Sequence, residues 1–280
     1  MADNNRVPKG NLVAIGGAED KTSDLEVLAR VFDLAPAGNR EVAVLATASG
    51  VPDEVLPPYE TAFERLGAES VHLLSVRDRR AAGDGDTVAA VQRCGVIFFT
   101  GGDQLRLTHV LGGSPLLEAI RQRYQDGAVV AGTSAGAAAM SATMIYNGDA
   151  ADCLHKGAVK MTTGLSFVEG LTIDSHFLER GRFTRLMEVG ATNPELLGVG
   201  LGEDAGVIVH PGRVLEAIGT GHVIIVDNTH IAASNIAEIV QGDPVAVENV
   251  IMHALISGHG YDTDARAYLT PEKLSDRLGS

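Results

Sequence analysis

The pentapeptide Gly132-Thr133-Ser134-Ala135-Gly136 sets one hydroxyl between two glycines, after the apolar run AVVA and before AAAM. G-x-S-x-G where a strand ends and a helix begins is the pattern of a nucleophilic serine on a tight turn. The reason is steric. Such a turn is strained, and side chains two residues before or after the serine would crowd it. A helix opening at Ser134 would aim backbone N–H groups, that of Ala135 first, at a developing oxyanion. The same five residues also suit a close strand–helix packing turn whose serine is incidental.

A nucleophilic serine needs a base, and the base needs an acid to orient it. Of the nine histidines, His176 lies just past the predicted strand GLTID, at the sheet edge expected to carry Ser134, with Asp174 two residues earlier. His72 falls inside a predicted strand and reads as structural. His253 and His259 lie late in the chain and keep open a Ser…acid…His order. Glu203 and Asp204 both follow a predicted strand ending at Leu201-Gly202, and either could be the acid. In GGDQ (101–104) the Gly102 and Asp103 amides could complete an oxyanion hole, and Gln104 could bond substrate. Asp103 could equally cap the next helix. Arg180, Arg182 and Arg185 follow His176 within nine residues. Guanidinium forks match carboxylates, so the cluster reads as a carboxylate-binding site or as a solvated helix face paired with Glu179 and Glu188.

These groups need a scaffold, and the first two-thirds of the chain supply its pattern. NLVAIGG (11–17), EVAVLATAS (41–49), ESVHLLSV (69–76), GVIFFTGG (95–102) and AVVAGTS (128–134) read as buried strands. Helical spacing lies between them over 23–34, 53–66, 87–93 and 115–125. This alternation predicts an α/β fold with a mostly parallel central sheet flanked by helices. Sites in such sheets gather at the carboxyl ends of strands. Later, a helix is predicted over 179–191. LLGVGL, GVIVH, RVLEAI and HVIIV then read as antiparallel pairs added to the sheet edge. The expectation is a single catalytic domain over 1–280, with 1–10 as a flexible tail.

Composition narrows the partners. The 280 residues carry 22 Lys+Arg against 36 Asp+Glu, a formal charge of −14, which repels phosphate backbones and argues against nucleic acid. No apolar window is long enough to span a bilayer, and MADNNRVPKG has no apolar signal core. Cys94 and Cys153 lack metal-ligand spacing, so the expected site is cytoplasmic and free of metal or cofactor.

With these motifs in hand, the chain resembles the cyanophycinase family of serine peptidases, the group that also holds aspartyl dipeptidase. The matching stretches are GGDQLRLT (101–108), AGTSAGAAAMS (131–141), IDSHFLERGRFTRL (173–186), GLGEDAG (200–206) and VIIVDNTHIAASN (223–235). The resemblance implies a fold like class I glutamine amidotransferases, with flavodoxin-like topology, and a homodimer. It implies a triad of Ser134, His176 and Glu203. It also implies a substrate site at Gln104, Asp174, Ser175, Arg180, Arg182 and Arg185 for a unit built from Asp and Arg. In it, Asp174 or another acid would read the substrate guanidinium. The implied substrate is cyanophycin, with a short aspartyl or isoaspartyl dipeptide as the alternative. Ser175 stands where the family often has Gln, and Gly202 where it has an acid.

Overall fold

The computed structural model describes residues 7–211 and 213–279. The first strands are β1 (Leu12–Ile15), β2 (Glu41–Leu45), β3 (Ser70–Leu74), β4 (Val96–Phe99) and β5 (Val129–Thr133). Next come β6 (Thr143–Asn147), β7 (Lys160–Thr163), β8 (Leu171–Asp174) and β9 (Leu197–Leu201). Then follow β10 (Ala205–Val209), β11 (Val214–Gly219), β12 (Val223–Asp227), β13 (Ala233–Ser234) and β14 (Val247–Glu248). The last are β15 (Ile251–Leu255), β16 (Gly260–Asp262) and β17 (Ala267–Leu269). The helices are α1 (Glu26–Asp33), α2 (Pro52–Arg65), α3 (Gly85–Arg93), α4 (Gln104–Leu111) and α5 (Pro115–Asp126). They continue with α6 (Ala135–Ala138), α7 (Phe183–Thr192) and α8 (Pro271–Leu278).

The α/β expectation holds. One sheet has nine strands in the order β17-β16-β11-β10-β1-β5-β4-β2-β3. From β1 to β3 the neighbours pair parallel, and from β1 to β17 they pair antiparallel. The parallel strands are apolar on both faces because both are covered. Val13, Ile15, Val42 and Val44 pack against Val27, Leu28, Val31 and Phe32 of α1 and Leu56 and Phe63 of α2. Their alternates Leu12, Ala14, Ala43 and Leu45 share a second cluster with Ile120 of α5 and Val199 of β9. Burying a large side chain such as Phe63 contributes roughly 1.5–3 kcal/mol.

The predicted placement of the late strands is only half right. GVIVH and RVLEAI join the main sheet as β10 and β11. LLGVGL and HVIIV instead form a separate four-stranded sheet, in the order β15-β12-β9-β8. Apolar strands read alike whichever sheet they enter, so pattern alone does not assign them. Residues 1–6 of the expected flexible tail lie outside the described residues. Within 7–10, the Lys9 and Gly10 N–H groups donate to the Gln125 and Tyr124 carbonyls (3.4 and 3.1 Å). No helix among the described residues is long and apolar enough to cross a membrane.

Candidate active site

Ser134 follows β5 directly, with φ 52° and ψ −109°, a region costly for a residue with a β-carbon. The flanking glycines are required by contact. A β-carbon at Gly132 would lie 2.8 Å from the Gly136 backbone, and one at Gly136 would lie 2.6 Å from the Phe99 carbonyl oxygen. The helix behind the serine, α6, is a single turn. It ends after one turn because the Ala139 and Met140 carbonyls accept from the N–H groups of Leu165 and Phe167 (2.6 and 2.9 Å). A one-turn helix has little dipole, which leaves single N–H groups as the donors beside Ser134. Those of Ala135 and Gly102 have no acceptor among the described residues. The Asp103 amide, also expected to serve, is already used: it donates to the Ala48 carbonyl (3.0 Å). The Asp103 side chain caps α4 by accepting from Leu105 N–H (2.8 Å).

His176 comes from the second sheet, not from the one that carries Ser134. It lies just past β8, and Glu203 lies just past β9, the parallel neighbour of β8. The carboxyl ends of these strands meet that of β5. Ser134 Oγ is 3.0 Å from His176 Nε2, and His176 Nδ1 is 2.7 Å from Glu203 Oε1. Asp204 is turned away: it accepts from Asp20 N–H (3.1 Å) and Thr220 Oγ1 (2.6 Å). His253 packs against the Tyr261 ring (5.3 Å) and His259 against Tyr268 (5.8 Å), so neither late histidine meets the serine. His72 pairs with Glu41 (2.9 Å).

Three consecutive carbonyls at the end of β1 hold this arrangement. Ile15 accepts from Ser134 N–H, Gly16 from His176 N–H and Gly17 from Asp204 N–H, each at 2.9 Å. His176 itself has φ 47°, as does Asp204 next to Glu203, so the turns that carry His176 and Glu203 are strained like the serine turn.

Beside the triad opens a cavity of about 190 Å³. All of Gln104, Asp174, Ser175, Arg180, Arg182 and Arg185 line it, together with Gly102, Ala135 and residues 145–148. The helix expected over 179–191 would place Arg182 and Arg185 as i, i+3 neighbours. In fact α7 begins only after Arg182, because Gly181 turns at φ 59° and Arg182 N–H donates back to the Phe177 carbonyl (2.9 Å). Both side chains still converge on Asp174, Arg182 Nη1 at 3.1 Å from Oδ1 and Arg185 Nε at 3.1 Å from Oδ2. Burial pushes the Asp174 carboxyl up, and the charges of Arg185 and Arg182 pull against it. Asp174 therefore braces both arginines: Oδ1 accepts from Arg182 Nη1, while the buried Oδ2 faces Arg185 Nε as an ion pair without a hydrogen bond. Arg185 Nη1 also donates to the Gly148 carbonyl (3.1 Å) and Arg182 Nη1 to that of Ser175 (2.7 Å). Arg180 is exposed. Gln104 donates to the Ile145 and Tyr146 carbonyls (3.1 and 3.3 Å), tying α4 to β6.

Among the described residues, one group could offer metal ligands, Glu41, His72 and Cys94, with ligand atoms within 4.8 Å of one another. Burial, with the Glu41 charge adding to it, pushes the Cys94 thiol up to about 12. The Glu41–His72 pair is satisfied without an ion.

Residues 12–216 match the model of peptidase family S51. The chain belongs to peptidase family S51. It is 38% identical over 253 residues to a cyanophycinase of Geminocystis herdmanii, covering 90% of this chain and 92% of that protein. It is 36% identical over 262 residues to a cyanophycinase of a Nostoc species, covering 93% and 88%. The crystal structure of a peptidase from an acI-B1 actinobacterium superposes with a TM-score of 0.68 at 20% identity, covering 91% of this chain and 98% of that one. This last likeness concerns the fold.

Sequence reasoning about this S51 peptidase missed the other side of its serine. Gly17, Glu19, Lys21 and Tyr59 line a second cavity that shares Ser134 and His176 with the first. The glycine pair after β1 was visible, but nothing in GGAEDK (16–21) marks a side chain as facing the serine.

Proposed function

We propose that this S51 peptidase hydrolyses cyanophycin, the polymer with an aspartate backbone and an arginine joined through each side-chain carboxyl, and releases β-linked Asp-Arg dipeptides. The observation that carries the reading is the Ser134–His176–Glu203 chain of hydrogen bonds opening onto a cavity with three arginines and one carboxylate. That cavity is net cationic and suits the free carboxylates of such a substrate.

In this reading His176 Nε2 takes the Ser134 proton as Oγ attacks the peptide carbonyl. Glu203 accepts from His176 Nδ1–H, fixes its tautomer and stabilises the imidazolium. The Ala135 and Gly102 amides meet the oxyanion. His176 then protonates the leaving amine, and water, activated by the same histidine, releases the acyl group. The enzyme acts as a homodimer in the cytoplasm and has no use for nucleic acid or a membrane. The two free buried thiols fit a reducing compartment.

Digestion of purified cyanophycin with mass analysis of the products tests this. The β-linked dipeptide is the expected product. Cleavage of free aspartyl dipeptides with the polymer left intact would replace the substrate assignment. Ser134→Ala should lower turnover by about 10⁴-fold or more, and an active Ser134→Ala protein would overturn the mechanism.

A further inference from the structure

Ser134 and His176 stand between two cavities, and only one of them contains the arginines. The other, about 320 Å³, is formed by the loop after β1, the helix α2 and the end of β5. Its floor is Glu19, 2% exposed. That carboxylate accepts from Tyr59 Oη, from Thr133 Oγ1 at 2.6 Å and from Lys21 Nζ at 3.2 Å. Burial and the neighbouring Glu19 charge raise the Tyr59 hydroxyl well above its usual value, so it remains the donor. Glu19 is thus consumed within the protein and holds Lys21 in place.

Lys21 is the sole Lys or Arg that lines this cavity. An ammonium has three donors. One goes to the Glu19 carbonyl (2.8 Å) and one to Glu19 Oε1. The ammonium lies over the Tyr59 ring, 5.1 Å from its centre, and its side chain is 26% exposed. A third donor remains for a ligand. Val55, Pro58 and the Tyr59 ring supply apolar wall beside it.

The oxyanion donors decide which part of a substrate goes where. Ala135 and Gly102 line the arginine cavity and not this one. A carbonyl whose oxygen faces those amides keeps its acyl portion in the arginine cavity. The amine of the broken bond then lies beyond His176, against Gly17 and Lys21. We infer that the Lys21–Tyr59 cavity is the leaving-group subsite: it binds an aspartate unit carrying a side-chain-linked arginine. The Lys21 ammonium pairs with that unit's carboxylate, and the apolar wall takes the arginine stem. The proton that Ser134 Oγ gives to His176 Nε2 passes to the nitrogen of the unit held here as the C–N bond breaks. This inference rests on the proposed acyl transfer at Ser134.

The test uses the intact protein and the free β-linked Asp-Arg dipeptide as a competitive inhibitor of polymer cleavage. Lys21→Met should raise its inhibition constant about tenfold or more, the usual loss when a charge-assisted hydrogen bond is removed. Lys21→Arg should restore most of the binding. Fluorophosphonate labelling of Ser134 reads the triad separately and should change less than twofold in Lys21→Met. Unchanged dipeptide inhibition in Lys21→Met overturns the subsite. So does labelling that falls in step with inhibition, because Lys21 would then act through the Glu19–Thr133 contact on the serine turn. A wild-type protein that labels normally but leaves the polymer whole would overturn the cyanophycin reading. Failure to label would overturn the triad itself.

Discussion

The ring of His176 occupies the space where a side chain on Gly17 would be: a β-carbon built there falls onto the imidazole. Gly17 also has φ 112°, a conformation that side chains rarely adopt. A residue with no reactive atom thus sets the position of the His176 ring.

Gly17→Ala should therefore cripple catalysis through geometry. A displacement of the base by an ångström costs on the order of 10²-fold. We expect kcat to fall more than KM changes and fluorophosphonate labelling of Ser134 to slow in parallel, while circular dichroism stays near that of the wild type. Normal labelling in this variant would show that the base tolerates a shift.

Glu203 is 41% exposed at its side chain, so water can partly replace it. Glu203→Gln keeps the shape but removes the charge that stabilises the imidazolium and can present the wrong hydrogen-bond partner to Nδ1. The expected loss in kcat is about 10²–10⁴-fold, read by polymer turnover. A loss below threefold would argue that Glu203 does not orient His176.

Two arginines of one cavity should fail in different ways. Arg180 is exposed, and Arg180→Ala should raise KM for the polymer while leaving stability within about 0.5 kcal/mol. Arg185 is 5% exposed and holds Asp174. Arg185→Ala leaves a buried carboxylate short of a partner and should cost about 3 kcal/mol of stability as well. Urea denaturation alongside kinetics separates the two outcomes.

How far the sequence carried this picture follows from what each signal encodes. Strand and helix placement in the first half was legible because apolar period and turn residues are local. G-x-S-x-G was legible because its spacing is local, although Gly136 answers to Phe99 of β4 as well as to the turn. The split of late strands between two sheets was not, since LLGVGL and RVLEAI carry the same apolar pattern. Local pattern also left Glu203 and Asp204 open, and only the family resemblance pointed to Glu203; the geometry behind it is that Thr220 and Asp20 capture the second carboxylate. The start of α7 was misplaced because one glycine, Gly181, breaks a run whose apolar spacing looks continuous.

A pH effect on stability should arise far from the site. Asp262 accepts from Ala265 N–H (2.9 Å), Arg277 Nε (2.9 Å) and Asp264 N–H (3.0 Å), and these donors hold its carboxyl below the usual range. A depressed folded-state value stabilises the fold at pH above the unfolded value, near 4. That contribution is lost as pH falls through the folded value. Asp262→Asn should therefore be less stable than wild type by roughly 1 kcal/mol at pH 7. The gap in melting temperature should narrow below about pH 4.

The carbonyls of Ile15, Gly16 and Gly17 reach into three stretches of chain more than a hundred residues downstream. The reactive groups are thus synthesised long after the acceptors that align them, and no local segment around Ser134 can mature into a site alone. A chain truncated before Ala18 would still contain serine, histidine and glutamate. It would lack the tripeptide on which their backbones are registered, and β10 and β5 would face each other across the gap left by β1. The backbones of Ser134, His176 and Asp204 therefore share one register only when β1 lies between β10 and β5.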